Sequence, residues 1–249
     1  MNQVVKKETT AVTTASQQAN EAILKSDIVI PRVLLMQGLS EFVTQRKAQM
    51  GDMVRSSTVE VIGGPGKGIS FIPLLHTNEW RLEEKVGNKY EFRGNEPRTA
   101  KNETLEWDFK HNGADWKRTK VINVFALLTS DIDAELAEIE RAKQEGDMPD
   151  VSKVLMPVVI SFRSTGYNAG KAVVTHFAKA QSMAQYGAKA HGYALPLTCS
   201  EDKNEKGTFY VWGVGSSSKV TKEQLAKAEE WIGILSSSRV VVDERGDSE

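Results

Sequence analysis

The sequence predicts a β-rich α+β protein, and three observations carry that prediction. Residues 68–128 hold several short runs that alternate apolar and polar side chains, the period of a pleated strand. Stretches near 130–146, 168–187 and 221–235 instead read as helices, the first from its cap, charge and stop signals and the other two from an apolar face. These helical stretches are scattered among strands, and the last one follows a strand pair.

Taken in order, residues 1–27 are rich in Thr, Ala, Gln and Lys and poor in large apolar side chains, which predicts a mobile polar arm. One domain is expected over 28–238, starting at "IVIPRVLLMQGLS". "GISFIPLL" (68–75), "KYEFR" (89–93) and "TLEWDFK" (104–110) read as strands. "WKRTKVINVFALL" (116–128) is a long strand whose apolar second half predicts burial on both faces. A helical insert near 130–146 follows. Ser130 is expected to cap it, Asp131, Asp133 and Glu135 suit its positive end, and Gly146 stops it. "PVVISFR" (157–163) is a strand in which Phe162 shares the core face with Val158 and Ile160 while Arg163 faces out. Residues 168–187 form a helix with Val173, Val174, Phe177 and Ala184 inward. "YALPLTC" (193–199) and "GTFYVWGV" (207–214) pair across a charged turn, "SEDKNEK". Thr221 and Gln224 open the last helix as a reciprocal cap, with Leu225, Ala228, Ile232 and Leu235 inward. Five or more strands with a helix ahead of the last pair predict an OB-like Greek-key barrel with an inserted helix and a C-terminal helix; a plain α+β sheet yields the same order.

Composition excludes several classes. With 40% hydrophobic and 26% charged residues, the chain can build an ordinary core. No apolar run reaches the roughly 18–20 residues of a membrane span. Lys6 and Lys7 are followed by polar residues, unlike a secretory signal. One Cys and four scattered His argue against disulfides and structural zinc, and place the expected home in a reducing cytoplasm. The net charge of −1 hides a segregation. Residues 151–200 contain five cations and no acid, whereas 131–150 contain eight acids, and 243–249 contain four. That pattern predicts an anion-binding face and a separate acidic tail over 239–249.

The residues that suit an anionic, base-bearing polymer are cations beside flat rings. Strand parity puts Trp116, Arg118 and Lys120 on one face. It also puts Tyr210 with Trp212, either as an exposed stacking platform or, on the alternative parity, as core. Arg163, Lys171 and Lys179 add phosphate contacts, and Arg93 and Arg98 in the polar loop "RGNEPR" are secondary candidates. Parity assigns Trp107 to the core beside Leu105 and Phe109, and Trp231 to helix packing. "GYNAGKA" (166–172) enters a helix but has three residues, not four, ahead of its Gly-Lys pair, and Ala172 follows the lysine, so it is not a nucleotide-hydrolysing phosphate loop. Asp131 and Asp133 at a strand end suit a magnesium nuclease, though a helix first turn explains both. Cys199 reads as a small core residue.

"IPRVLLMQGLSEFV", "EFRGNEPRT", "VISFRSTGYNAGK" and "KGTFYVWGVG" together resemble bacteriophage-encoded single-stranded-DNA-binding proteins of OB-fold type, over roughly 28–235. The resemblance implies a basic, aromatic-lined groove and an acidic tail that contacts replication partners. "DERGDSE" (243–249) departs from such tails in Arg245 and in lacking a terminal aromatic. No site residue is transferred by motif. The expectation is a non-enzymatic, cofactor-free protein that binds single-stranded DNA in phage replication or recombination, in the bacterial cytoplasm. Replication or recombination proteins are its expected tail partners, and a homo-oligomer is allowed. The alternatives are the magnesium nuclease and a virion or assembly protein.

Overall fold

The computed structural model describes residues 29–205 and 207–236, and the backbone of 241–242. The expected polar arm lies outside the described residues, as does the expected acidic tail except for the backbone of Val241–Val242. In chain order the elements are β1 (Val29–Ile30), β2 (Arg32–Leu35), α1 (Glu41–Thr44), β3 (Met53–Arg55), β4 (Glu60–Gly63), β5 (Ile69–Val86), β6 (Lys89–Pro97), β7 (Asp108–His111) and β8 (Ala114–Leu128). Then come α2 (Thr129–Glu145), β9 (Val158–Arg163), α3 (Tyr167–Ser182), β10 (Tyr193–Asn204), β11 (Gly207–Val214), β12 (Ser218–Lys219), α4 (Lys222–Ser236) and β13 (Val241–Val242).

The result is a β-rich α+β fold, a mixed sheet curled into a half-barrel. The main path runs β11-β10-β5-β8-β9-β2-β3-β4. Every neighbour on it is antiparallel except β2 and β9, which run parallel. Strand β5 is long because it serves three partners, β10 at its start, β8 along its length and β6 at its end. The pair β1–β13 stands apart and is parallel.

Alternation along β8 decides the layering. Ile122, Val124, Ala126 and Leu128 face a first core with Ile160, Phe162 and the α3 residues Ala169 and Val173. Leu127 faces a second core on the opposite side, completed by Ile132 of α2 and by Ala228 and Leu235 of α4. Both faces of the apolar half of β8 are therefore covered, as its continuous run predicts. The Thr221–Gln224 cap forms, each residue's backbone N–H donating to the other's side-chain oxygen.

Four local expectations are corrected. Helix α2 starts one residue before Ser130, at Thr129, and Leu128 at its cap position makes no side-chain cap bond. Gly146 ends it in the left-handed conformation, φ 67°, which glycine reaches without a Cβ penalty. Helix α3 stops at Ser182, and Ala184 is exposed in the 3-10 turn that follows. The strands β10 and β11 continue through most of "SEDKNEK", because their ladder stays in register out to Asn204 and Gly207. "TLEWDFK" is mostly turn, since strand pairing begins only at Asp108, and Trp107 is 54% exposed instead of core. Just upstream, Asn102 ties residues 97–102 into a turn. Its Oδ1 accepts from Thr99 N (2.7 Å) and its Nδ2 donates to Pro97 O (2.9 Å). Among the described residues, no helix is long and apolar enough to cross a membrane.

Candidate nucleic-acid interface

The parallel strands β2 and β9 pair only at Arg32↔Val159 and Val33↔Ile160. Past that point they part, and residues 33–40 and 161–166 become opposite walls of a cleft of about 460 Å³ that β11 closes with Thr208, Phe209, Tyr210 and Trp212. A crevice at the carboxyl ends of neighbouring parallel strands is where sheet proteins commonly place ligands. Its volume lies in the ~300–1,000 Å³ range of such sites. Three of the residues chosen from sequence, Arg163, Tyr210 and Trp212, meet here.

The walls are held by specific contacts. Gln37 brackets the backbone of Tyr210, its Nε2 donating to Tyr210 O (2.9 Å) and its Oε1 accepting from Tyr210 N (3.0 Å). It thus satisfies an edge strand where no further strand pairs. The Tyr210 ring rests on Gly51, where an added Cβ would lie 2.7 Å from ring carbon Cε1, and Gly51 is left-handed at φ 85°. Trp212 packs edge-on to Phe162, with centroids 6.2 Å apart, and presses on Gly166, where a Cβ would lie 2.7 Å from Trp212 Cδ1. Ser164 on the opposite wall holds φ 48°, a left-handed backbone that costs a non-glycine residue roughly 1–2 kcal/mol. Both alternatives for Tyr210 and Trp212 therefore need correction: each ring is half-buried, lining the cleft with one edge and packing with another.

The remaining candidates gather elsewhere, and most already have partners. Trp116, Arg118 and Lys120 do share one face of β8, but that face is covered. The Arg118 guanidinium lies 3.7 Å over the Phe109 ring, with its Nε 3.4 Å from Glu96. Trp116 is half-buried against Phe109, at 6.0 Å between centroids, and its indole N–H has no hydrogen-bond partner. Lys120 lies over Trp80 and donates to Glu103 at 2.6 Å. Arg93 pairs with Glu84 (2.6 Å) and Glu91 (3.0 Å) far out on the β5–β6 hairpin. These four are members of ion-pair and ring networks in the fold. The β8 face extends beyond the first core, so the 97–107 segment and β7 fold over it.

Arg98 donates to the Tyr167 hydroxyl (2.5 Å) and sits over its ring, and Lys171 reaches the same ring with Nζ 5.2 Å from the centroid. Tyr167 opens α3 directly after the cleft residue Gly166, so this pair adjoins the cleft. Lys171, Thr175 and Lys179 form an exposed stripe on α3. Sequence reasoning missed Gln37, Tyr167 and Glu103. Tyr167 stands inside "GYNAGKA", whose glycines and lysine drew the attention. Nothing local marks Gln37, whose partner is 173 residues away.

The carboxylates of the nuclease alternative are engaged apart from each other. Asp131 accepts from Arg55 at 2.8 Å, and Asp133 accepts from Gln224 at 3.1 Å. Among the described residues, no group of three or more His, Cys, Asp or Glu is placed to hold a metal ion. Cys199 is partly buried, its Sγ 3.2 Å from Gly51 O, and burial pushes its thiol pKa up.

Fold and cleft together define a β-rich half-barrel protein with a ring-lined crevice at a parting of strands. The chain belongs to the Pam3 phage gp34-like protein family, which it matches over residues 2–240. No curated protein and no solved structure matches it.

Proposed function

We propose that this phage-family protein is an OB-like, non-enzymatic binder of single-stranded DNA, acting in phage replication or recombination within the bacterial host's cytoplasm. One observation carries the reading: the cleft brings Arg163 of β9 together with Tyr210 and Trp212 of β11, a cation beside two rings. A base stacks on the rings while Arg163 and the neighbouring Arg98 and Lys171 meet phosphates. Lys179 extends that line along α3. Sequence preference is weak, because every base has a flat face. The curled sheet, whose strand β5 passes between partners, supports the OB-like reading of the half-barrel. The acidic tail would then contact replication or recombination proteins.

The test is tryptophan emission during titration with an oligothymidylate, beside a gel shift comparing single and double strands with and without Mg²⁺. Single-strand binding without cleavage is expected. Loss of substrate with Mg²⁺ would establish the nuclease reading instead, and absence of any shift at low salt would leave the virion or assembly role.

A further inference from the structure

One carboxylate bridges two of the candidate cations. Glu103 lies on the 98–107 strap that crosses β8. Its two oxygens go to two different cations: Oε1 accepts from Lys120 Nζ at 2.6 Å and Oε2 lies 3.1 Å from Arg98 Nε. A phosphodiester's two non-bridging oxygens would meet the same pair in the same way. We propose that Arg98 and Lys120 form a phosphodiester site, that Glu103 fills it as a resident stand-in, and that a DNA strand enters by displacing that carboxylate. The inference rests on the single-strand-binding reading above and assigns one of its anion sites.

Three features make the exchange feasible. The cations keep their positions without Glu103, because Lys120 lies 5.3 Å from the Trp80 ring centroid and Arg98 lies 5.5 Å from that of Tyr167. The strap keeps its shape without Glu103 too, since Asn102 binds Thr99 and Pro97, Arg98 N donates to Asn78 O, and Arg118 N donates to Trp107 O. Glu103 itself is 45% exposed, whereas the two cations are 12% and 22% exposed, so the carboxylate is the member free to swing into water. Two cations against one carboxylate also leave the site net positive. The hydrogen bond from Lys120 holds the Glu103 carboxyl below its ordinary range.

The experiment compares oligothymidylate affinity, across a salt series, for the wild-type chain, Glu103→Gln, and Glu140→Gln. The last makes the same charge change on the exposed side of α2. Release of an exposed ion pair predicts a Glu103→Gln affinity gain of about two- to fivefold. It also predicts a steeper dependence of log affinity on log salt, because in the wild type the displaced carboxylate takes up cations as the phosphate sheds them. Glu140→Gln should show neither. Equal behaviour of the two variants, with wild-type binding intact, overturns the stand-in role alone. If the wild type and both variants leave the oligonucleotide unbound at low salt, the functional reading falls and takes this site with it. Thermal melting of each variant keeps a folding defect from being read as a binding effect.

Discussion

Trp212 touches Phe162 and Gly166 while lining the cleft, so one ring serves the core and the binding surface together. Its removal should cost both properties. Trp212→Ala is expected to lower unfolding free energy by about 2 kcal/mol or more, through lost contact and a residual cavity. Tyr210 is different: its ring lies on Gly51 near the surface and its hydroxyl is 3.4 Å from Glu201. Tyr210→Ala should weaken oligothymidylate binding by about 1–3 kcal/mol while moving the urea midpoint far less. Paired titration and urea curves for the two variants check this. Equal loss of stability in both would return Tyr210 to the core.

Helix α3 owes its close seat on β9 to Gly170, where an added Cβ would lie 2.7 Å from Phe162 Cβ and 3.1 Å from Ile122 Cδ1. Helix propensity alone favours Gly170→Ala by about 1 kcal/mol. The clash is with an atom fixed to a strand backbone, so overpacking, at about 1–3 kcal/mol, should win. The variant is expected to unfold at lower urea. At the far end of α2, Arg141 pulls the Glu138 carboxyl from 4.5 to about 2, helped by the Asp150 backbone N–H and by Lys153. An acid whose folded pKa is depressed stabilises fully above its unfolded value and loses that contribution as pH falls. Stability should therefore drop between pH 4.5 and about 2, and Glu138→Gln should flatten that part of a urea-midpoint-against-pH profile. An unchanged profile would show that other carboxylates govern acid unfolding.

At the scale of the whole molecule, some of the candidate cations are held by carboxylates far from the cleft and others lie beside it. Arg93 belongs to the first group, with Glu84 and Glu91 beside it, and Lys171 to the second, exposed beside Tyr167. Lys171→Ala should reduce the slope of log affinity against log salt by about 0.7, and Arg93→Ala should leave it unchanged. The reverse result would move the DNA path out onto the β5–β6 hairpin.

Local chemistry made much of this fold legible from the chain alone. The apolar run within 116–128 and the strand pattern of 157–163 located β8 and β9, the Thr221–Gln224 pair located the start of α4, and Gly146 the end of α2. Each signal lies within a few neighbouring residues, where backbone sterics and short hydrogen bonds act. Parity also told which side chains share a face, as for Trp116, Arg118 and Lys120. Whether that face meets water was decided only by the tertiary structure, through the 97–107 segment that covers Trp80 and the acids Glu96 and Glu103 that answer the cations. The cleft was decided the same way. It exists because β2 and β9 part after two residue pairs and a glutamine from one wall binds the backbone of β11, and contacts between residues over a hundred positions apart leave no periodic trace in a sequence.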